Sequence, residues 1–150
     1  MSLAFHVAIH PRSADVGPGP AIVFDGGEFS TLRPSSADLG EAFSRSFEEV
    51  HDGLTKLPRT FIEPDGSFVW VSSPGEPSWQ LDGMLYDRDE RLLYIELKGA
   101  CTAERLDQLL ALLGWPQTPV MFQLLREAVF LSEAEFRRYT GCINQNKLTS

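Results

Sequence analysis

Residues 80–99, QLDGMLYDRDERLLYIELKG, largely decide how this chain folds. Two apolar stretches stand on either side of a charged segment at 87–91, a pattern that predicts two β-strands joined by a tight turn. The first strand carries Asp82, and the second carries Glu96 and Lys98. Carboxylates bind Mg²⁺, and a lysine beside them orients water or stabilises negative charge on a phosphate. These three residues are therefore a candidate site for metal-dependent cleavage of a phosphodiester.

The turn between the two strands decides whether these side chains meet. Side chains alternate between the faces of a strand, so a three-residue loop at 88–90 would place Asp82, Glu96 and Lys98 on one face. A loop of two or four residues would shift the register by one residue and turn Asp82 away from Glu96. Three-residue loops favour Gly or Asn at their last position, where this chain has Glu90. The turn chemistry therefore disfavours the register that a metal site requires.

Upstream of this hairpin, the sequence predicts two strands, a long helix and a second hairpin. The strands are at 3–9 and 21–24, with a proline- and glycine-rich loop at 11–20 between them. The helix begins at a capping motif at Ser35 or Ser36 and ends before Pro58. The hairpin at 60–71 contains a strong turn sequence, Glu-Pro-Asp-Gly. Five helix residues at helical spacing are expected to be buried: Leu39, Phe43, Phe47, Val50 and Leu54.

Downstream of the hairpin, the sequence predicts a second main helix, one or two strands and a short final helix. Thr102 has the character of an N-cap, and the helix that follows has a leucine stripe that stops at Gly114. The stretch at 120–125 indicates a buried strand, and 128–131 indicates another. Ser132 and Glu135 have the spacing of a capping box, which predicts the final helix.

Together these elements predict one α+β domain of 150 residues. Its mixed sheet is built from hairpins, with two main helices packed on it and a short C-terminal helix. We divide the chain into N-terminal strands and loop at 1–35, a core at 36–125, a strand and short helix at 126–141, and a polar tail at 142–150. The order of elements in the core is helix, strand, strand, strand, helix, strand.

This core resembles that of the PD-(D/E)XK, or restriction-endonuclease-like, nuclease superfamily. In that family an Asp on the second core strand and Glu-x-Lys on the third precede a helix, and Asp82, Glu96 and Lys98 stand in those places. The resemblance covers residues 36–125, and Gln108 is similar to a glutamine that some branches carry on the helix. It implies a small Mg²⁺-dependent nuclease-like domain, active or degenerate. Asp82 and Glu96 would bind the metal, and Lys98 would position the attacking water.

The chain departs from the family in two respects, and these leave an alternative open. Leu81 stands where many members have proline, and the acidic residues of the first predicted helix point away from its apolar stripe. A metal would then rest on Asp82, Glu96, one backbone carbonyl and waters. The alternative is that Asp82, Glu96 and Lys98 form a solvated ion-pair cluster at the edge of a sheet. The chain would then be a non-catalytic acidic module that binds a protein partner.

The net charge of −8, from 21 acidic and 13 basic residues, limits the partners that the chain can bind. A protein that binds nucleic acid over a broad surface neutralises phosphates with Lys and Arg, so we expect at most weak, salt-sensitive binding to duplex DNA. The apolar stretches are short and interrupted, so no membrane span is expected. Two cysteines and the lack of a recognisable secretion signal favour a cytoplasmic location.

Other residues with chemical potential have simpler interpretations. His6 and His10 share a strand face but lie about 13 Å apart along it, too far to chelate one ion. They are interpreted as surface or core histidines. Cys101 is interpreted as a buried structural cysteine, and the three tryptophans are expected in the core. The Ser- and Pro-rich segment at 72–78 is expected to be a surface loop.

Overall fold

Nine antiparallel strands form one sheet in the computed structural model, which describes residues 4–141. In chain order the strands are β1 (Phe5–Pro11), β2 (Gly17–Phe24), β3 (Gly27–Arg33), β4 (Thr60–Ile62), β5 (Ser67–Val71), β6 (Gln80–Arg88), β7 (Arg91–Ala100), β8 (Val120–Leu124) and β9 (Val129–Ser132). Their order across the sheet is β2-β3-β9-β8-β1-β7-β6-β5-β4. The α+β class is confirmed. The mixed sheet is wrong in the described part of the chain, because β1 lies between β7 and β8 and runs antiparallel to both.

Four helices accompany the sheet: α1 (Ser36–Leu39), α2 (Phe47–Thr55), α3 (Ala103–Leu112) and α4 (Glu133–Thr140). The apolar residues of α2, α3 and α4 form one core cluster with side chains from one face of the sheet, such as Val7, Ile9 and Leu97. We call this side of the sheet the helix face and the opposite side the far face. Across residues 4–141, the helices all lack the length and apolar character needed to cross a membrane.

The long helix predicted at 36–57 is wrong, because residues 40–46 leave the helix to contact the sheet. The N–H of Phe43 donates to the carbonyl oxygen of Leu92 at 2.8 Å. Ser46 forms an isolated β-bridge with the first residue of β7. Ser46 then caps α2 through a reciprocal capping box. The sheet therefore satisfies backbone groups that a continuous helix would have satisfied itself.

The break also changes which apolar residues are buried. Phe43, Val50 and Leu54 are at most 3% exposed, as expected. Leu39 is 37% exposed and Phe47 is half-buried, contrary to expectation. The apolar spacing therefore predicted burial correctly at Phe43, Val50 and Leu54, but not at Leu39 of α1 or at Phe47, the first residue of α2.

Both hairpins predicted in the core are confirmed, since β4 pairs with β5 and β6 pairs with β7. The predicted core order, with three strands between the main helices, is wrong, because the two hairpins supply four strands between α2 and α3. Asp82 and Glu96 therefore lie on the third and fourth of these strands. The helix that was predicted from Thr102 and the one predicted from Ser132 are confirmed as α3 and α4. The N-terminal region differs, because β2 begins within the predicted loop and β3 was not predicted. Asp25 and Gly26 join these two strands with left-handed φ angles of 49° and 77°, as two-residue hairpin turns require. The predicted tail at 142–150 lies outside the described residues.

Candidate functional site

The turn of the β6–β7 hairpin contains only Asp89 and Glu90, because Arg88 pairs with Arg91. Both turn residues have left-handed φ angles, 52° and 70°. This geometry is typical of a two-residue hairpin turn. A turn of this length alone would place the side chains of Asp82 and Glu96 on opposite faces of the hairpin.

A β-bulge beside the turn reverses that outcome. The register shifts by one residue near the turn, which makes Leu93 an extra residue on β7. Beyond the bulge, Asp82 pairs directly with Lys98, and Glu96 lies two residues away on the same strand as Lys98. All three side chains are therefore on the far face. The bulge therefore brings the predicted residues to one face, although the turn has the length that was expected to separate them.

The sheet register aligns the far-face side chains in rows across the strands. One row crosses five strands, each residue pairing with the next: Phe61, Val69, Asp82, Lys98 and His6. The row begins at an edge strand with Phe61, which is 64% exposed, and ends at the central strand with a histidine. An apolar end and a polar end are thus joined on one surface.

Of the three predicted site residues, Glu96 makes the most side-chain hydrogen bonds. Its Oε2 lies 2.6 Å from Nε2 of His6, and its Oε1 accepts a hydrogen bond from the hydroxyl of Tyr86 at 3.1 Å. Burial and the contact with Glu96 raise the pKa of Tyr86, which stays a neutral donor. The side chains of His6 and Glu96 are 40% and 32% exposed, so a ligand can reach them.

Aromatic stacking extends this cluster toward the centre of the sheet. The rings of Tyr86 and Tyr94 stack with centroids 4.5 Å apart, and Tyr94 stacks on His10 at 5.2 Å. His10 Nε2 lies 2.9 Å from Oε1 of Gln123, while its buried Nδ1 has no hydrogen-bond partner within residues 4–141. Burial lowers the pKa of His10, so the ring is neutral at pH 7.

Asp82 and Lys98 make fewer side-chain contacts than Glu96. Asp82 is exposed, and its Oδ1 accepts a hydrogen bond from Nε2 of Gln80 at 3.0 Å. Within the described residues, Lys98 lies beyond 4.0 Å of every carboxylate oxygen. No group of three or more His, Cys, Asp or Glu residues in that part of the chain could hold a metal ion. Mg²⁺ favours six oxygen ligands, so Asp82 and Glu96 would supply a minority of them.

His6, Tyr86 and Tyr94 were not predicted from the sequence as members of the site. Strand alternation did place His6 and His10 on one face, and they have different partners, as expected from their separation. The pairing of β1 with β7 could not be read from the sequence, because His6 and Glu96 lie 90 positions apart. Alternation along β6 and β7 would have placed both tyrosines on the face of Asp82 once the bulge was known.

The other chemically suggestive residues have structural roles. Cys101, Trp70 and Trp79 are buried, as predicted, and Trp115 packs partly buried against the core. The segment at 72–78 is held in place by Glu76, whose carboxylate accepts hydrogen bonds from Arg105 of α3 at 3.1 and 3.3 Å. These residues therefore support the fold of the helix face.

Comparison of the chain with protein-family models, with curated proteins and with solved structures gave no match. The function of the chain is therefore inferred from the geometry of its own residues.

Proposed function

We propose that this chain is a non-catalytic interaction module that binds a basic partner protein on its far face. The surface in question consists of Phe61, Val69, Met84 and Asp82, which lie on β4, β5 and β6. The observation that carries the proposal is the 64% exposure of Phe61 at the start of the far-face row. Exposed aromatic residues beside partly buried aliphatic ones are typical of the centres of protein interfaces.

The distribution of charge supports a basic partner. Residues 60–91, which form β4, β5, β6 and the turns beside them, contain 7 acidic and 2 basic residues. Most of the net charge of −8 therefore belongs to the part of the chain that carries Phe61. Complementary charge accelerates association and disfavours acidic competitors, whereas an apolar anchor supplies affinity. A segment with Lys or Arg residues around an apolar side chain is the chemistry that fits this surface.

The use of Glu96 also supports binding over catalysis. Both of its oxygens accept hydrogen bonds from the protein, one from His6 and one from Tyr86. These hydrogen bonds occupy one acceptor position on each oxygen, which leaves fewer positions for a metal ion. The same contacts fix the orientation of His6 and Tyr86 on the far face.

Selection from a displayed library of random dodecapeptides on the immobilised protein tests the proposal. We expect enriched peptides to contain Lys or Arg together with an apolar or aromatic residue, and to bind more weakly at high salt. Phe61→Ser should weaken their binding by about tenfold with little change in thermal stability, because the ring is 64% exposed.

Val23→Ser is the matched control. Val23 is an apolar residue that is 71% exposed on β2, at the opposite edge of the sheet. This variant should retain full peptide binding. Peptides that bind Phe61→Ser as well as the unaltered protein, or that are enriched without basic residues, would contradict the proposal.

A second candidate function is the Mg²⁺-dependent, nuclease-like activity that the sequence resemblance implies. The observation in its favour is the placement of Asp82, Glu96 and Lys98 on one face of the sheet. Binding of Mg²⁺ or Mn²⁺ would raise the melting temperature in a concentration-dependent way. Asp82→Asn should abolish that rise, whereas Asp52→Asn, which alters an exposed acid of α2, should leave it unchanged. Equal responses of the two variants would exclude this candidate.

A further inference from the structure

A surface depression of about 270 Å³ lies where β1 begins and where β7 and β8 end. His6, Lys98, Arg126 and Glu127 contribute polar groups to its lining, and Leu124 is among its apolar residues. The depression lies at the opposite end of the far-face row from Phe61. The depression is therefore separate from the partner-binding surface on β4 to β6.

The fold brings two basic side chains to His6 at this place. Lys98 pairs directly with His6 across β7 and β1. Arg126 follows Leu125, whose N–H donates to the carbonyl oxygen of His6 at 3.1 Å. Within residues 4–141, neither Lys98 nor Arg126 lies within 4.0 Å of a carboxylate oxygen. The lining thus has two cations that are not neutralised at contact distance and one carboxylate, Glu127. Two further carboxylates lie beside it, since Glu96 bonds to His6 and Asp82 pairs with Lys98.

His6 is held in a fixed orientation beside these cations. Its Nε2 bonds to Oε2 of Glu96 at 2.6 Å, and Tyr86 donates to the other oxygen of the same carboxylate. A carboxylate that accepts a hydrogen bond from one ring nitrogen of a histidine fixes the ring, and the other nitrogen of the neutral ring is then an acceptor. The 40% exposure of the His6 side chain makes the ring accessible.

The remaining lining is apolar and limits the size of a ligand. Phe5, Leu124 and Tyr139 are among its lining residues, and Leu124 is 1% and Phe5 6% exposed. The hydroxyl of Tyr139 donates to Asp25 at 3.1 Å, and burial raises its pKa to about 12, so Tyr139 adds no charge. Ligand pockets commonly measure about 300–1,000 Å³, so a depression of about 270 Å³ suits a small molecule.

We propose that this depression binds a small anion, a carboxylate or phosphate group attached to a short apolar or aromatic group. Lys98 and Arg126 bind the charged group, and the ring of Tyr139 contacts the apolar part. Glu127 opposes binding by repelling the anion.

Titrations with benzoate, phenyl phosphate and benzylamine, followed by amide chemical shifts, test the proposal. We expect saturable shifts at the lining residues with both anions and none with the cation benzylamine. Tighter binding of phenyl phosphate would identify phosphate as the preferred group, and tighter binding of benzoate would identify carboxylate. Absence of saturation by either anion below roughly 10 mM would overturn the proposal.

Variants that remove a positive or a negative charge from the depression distinguish binding at this site from a general effect of net charge. Lys98→Ala and Arg126→Ala should each weaken anion binding by about threefold to tenfold, and Glu127→Gln should strengthen it. Lys56→Ala and Arg88→Ala remove exposed cations outside the depression and should leave the affinity unchanged. Equal losses in the control variants, or no gain in Glu127→Gln, would show that the anion does not bind at this place.

Discussion

At the scale of single residues, the far face contains two histidines with different surroundings. His6 is partly exposed and bonded to a carboxylate, whereas His10 is 6% exposed and lies against Tyr94, Phe130 and Gln123. No carboxylate is within hydrogen-bonding distance of His10 in residues 4–141. A proton on His10 would therefore be buried without a counter-charge, which is costly.

We predict that His10 makes the protein less stable as the pH falls below about 6.5, the usual pKa of an unfolded histidine. Burial lowers the pKa of His10 in the folded state, so the unfolded chain binds a proton first. The free energy of unfolding should fall by up to about 1.4 kcal/mol per pH unit between the two pKa values. Urea denaturation at pH 7.5 and 5.5 measures this change.

His10→Gln provides the comparison for this measurement. The substitution keeps a polar side chain but removes the titrating group, so the variant should lose less stability between the two pH values. Equal losses in the variant and the unaltered protein would show that His10 is not the source of the pH dependence.

At the scale of elements, the division of one predicted helix into α1 and α2 has a measurable consequence. Leu54 of α2 is fully buried, whereas Leu39 of α1 is 37% exposed. Leu54→Ala should cost about 2–5 kcal/mol through loss of contacts and formation of a cavity. Leu39→Ala should cost less than about 1 kcal/mol. Chemical denaturation of the two variants measures both values. Similar costs for the two variants would support the single continuous helix predicted at 36–57.

The β6–β7 turn offers a second test at this scale, because its geometry helps to set the pairing register of β6 with β7. Glu90 has a φ of 70°, which is unfavourable for a residue with a Cβ atom. Glu90→Gly should therefore stabilise the protein by about 0.5–1 kcal/mol. The same change at Arg91, for which no left-handed φ is found, should destabilise it. Destabilisation by Glu90→Gly would indicate that the turn has another geometry.

At the scale of the whole molecule, the excess of acidic residues dominates interactions with polyanions. We predict only weak binding to duplex DNA that disappears on raising the salt concentration, because 21 acidic residues oppose 13 basic ones. Electrophoretic mobility shifts at low and physiological salt measure this. Tight binding at physiological salt would mean that the basic residues cluster on one surface, and the depression with Lys98 and Arg126 would be the first place to examine.

Local signals in the sequence predicted individual elements well. The core hairpins and the starts of α3 and α4 depend on turn residues, alternation and capping side chains, which act over a few positions. The sequence also contained the capping box of Ser46 and Glu49, which begins α2 and which the longer apolar pattern concealed. The β3 strand was missed because its alternation is short and follows a segment rich in Pro and Gly.

What the sequence by itself determined is therefore the α+β class, the two core hairpins and the presence of Asp82, Glu96 and Lys98 on neighbouring strands. The tertiary structure alone decided which side chains these residues meet. A bulge near the turn set their common face, and the insertion of β1 beside β7 gave Glu96 its contact with His6 from 90 positions away. Strand alternation is a local property, whereas the choice of a neighbouring strand depends on how the whole core is packed.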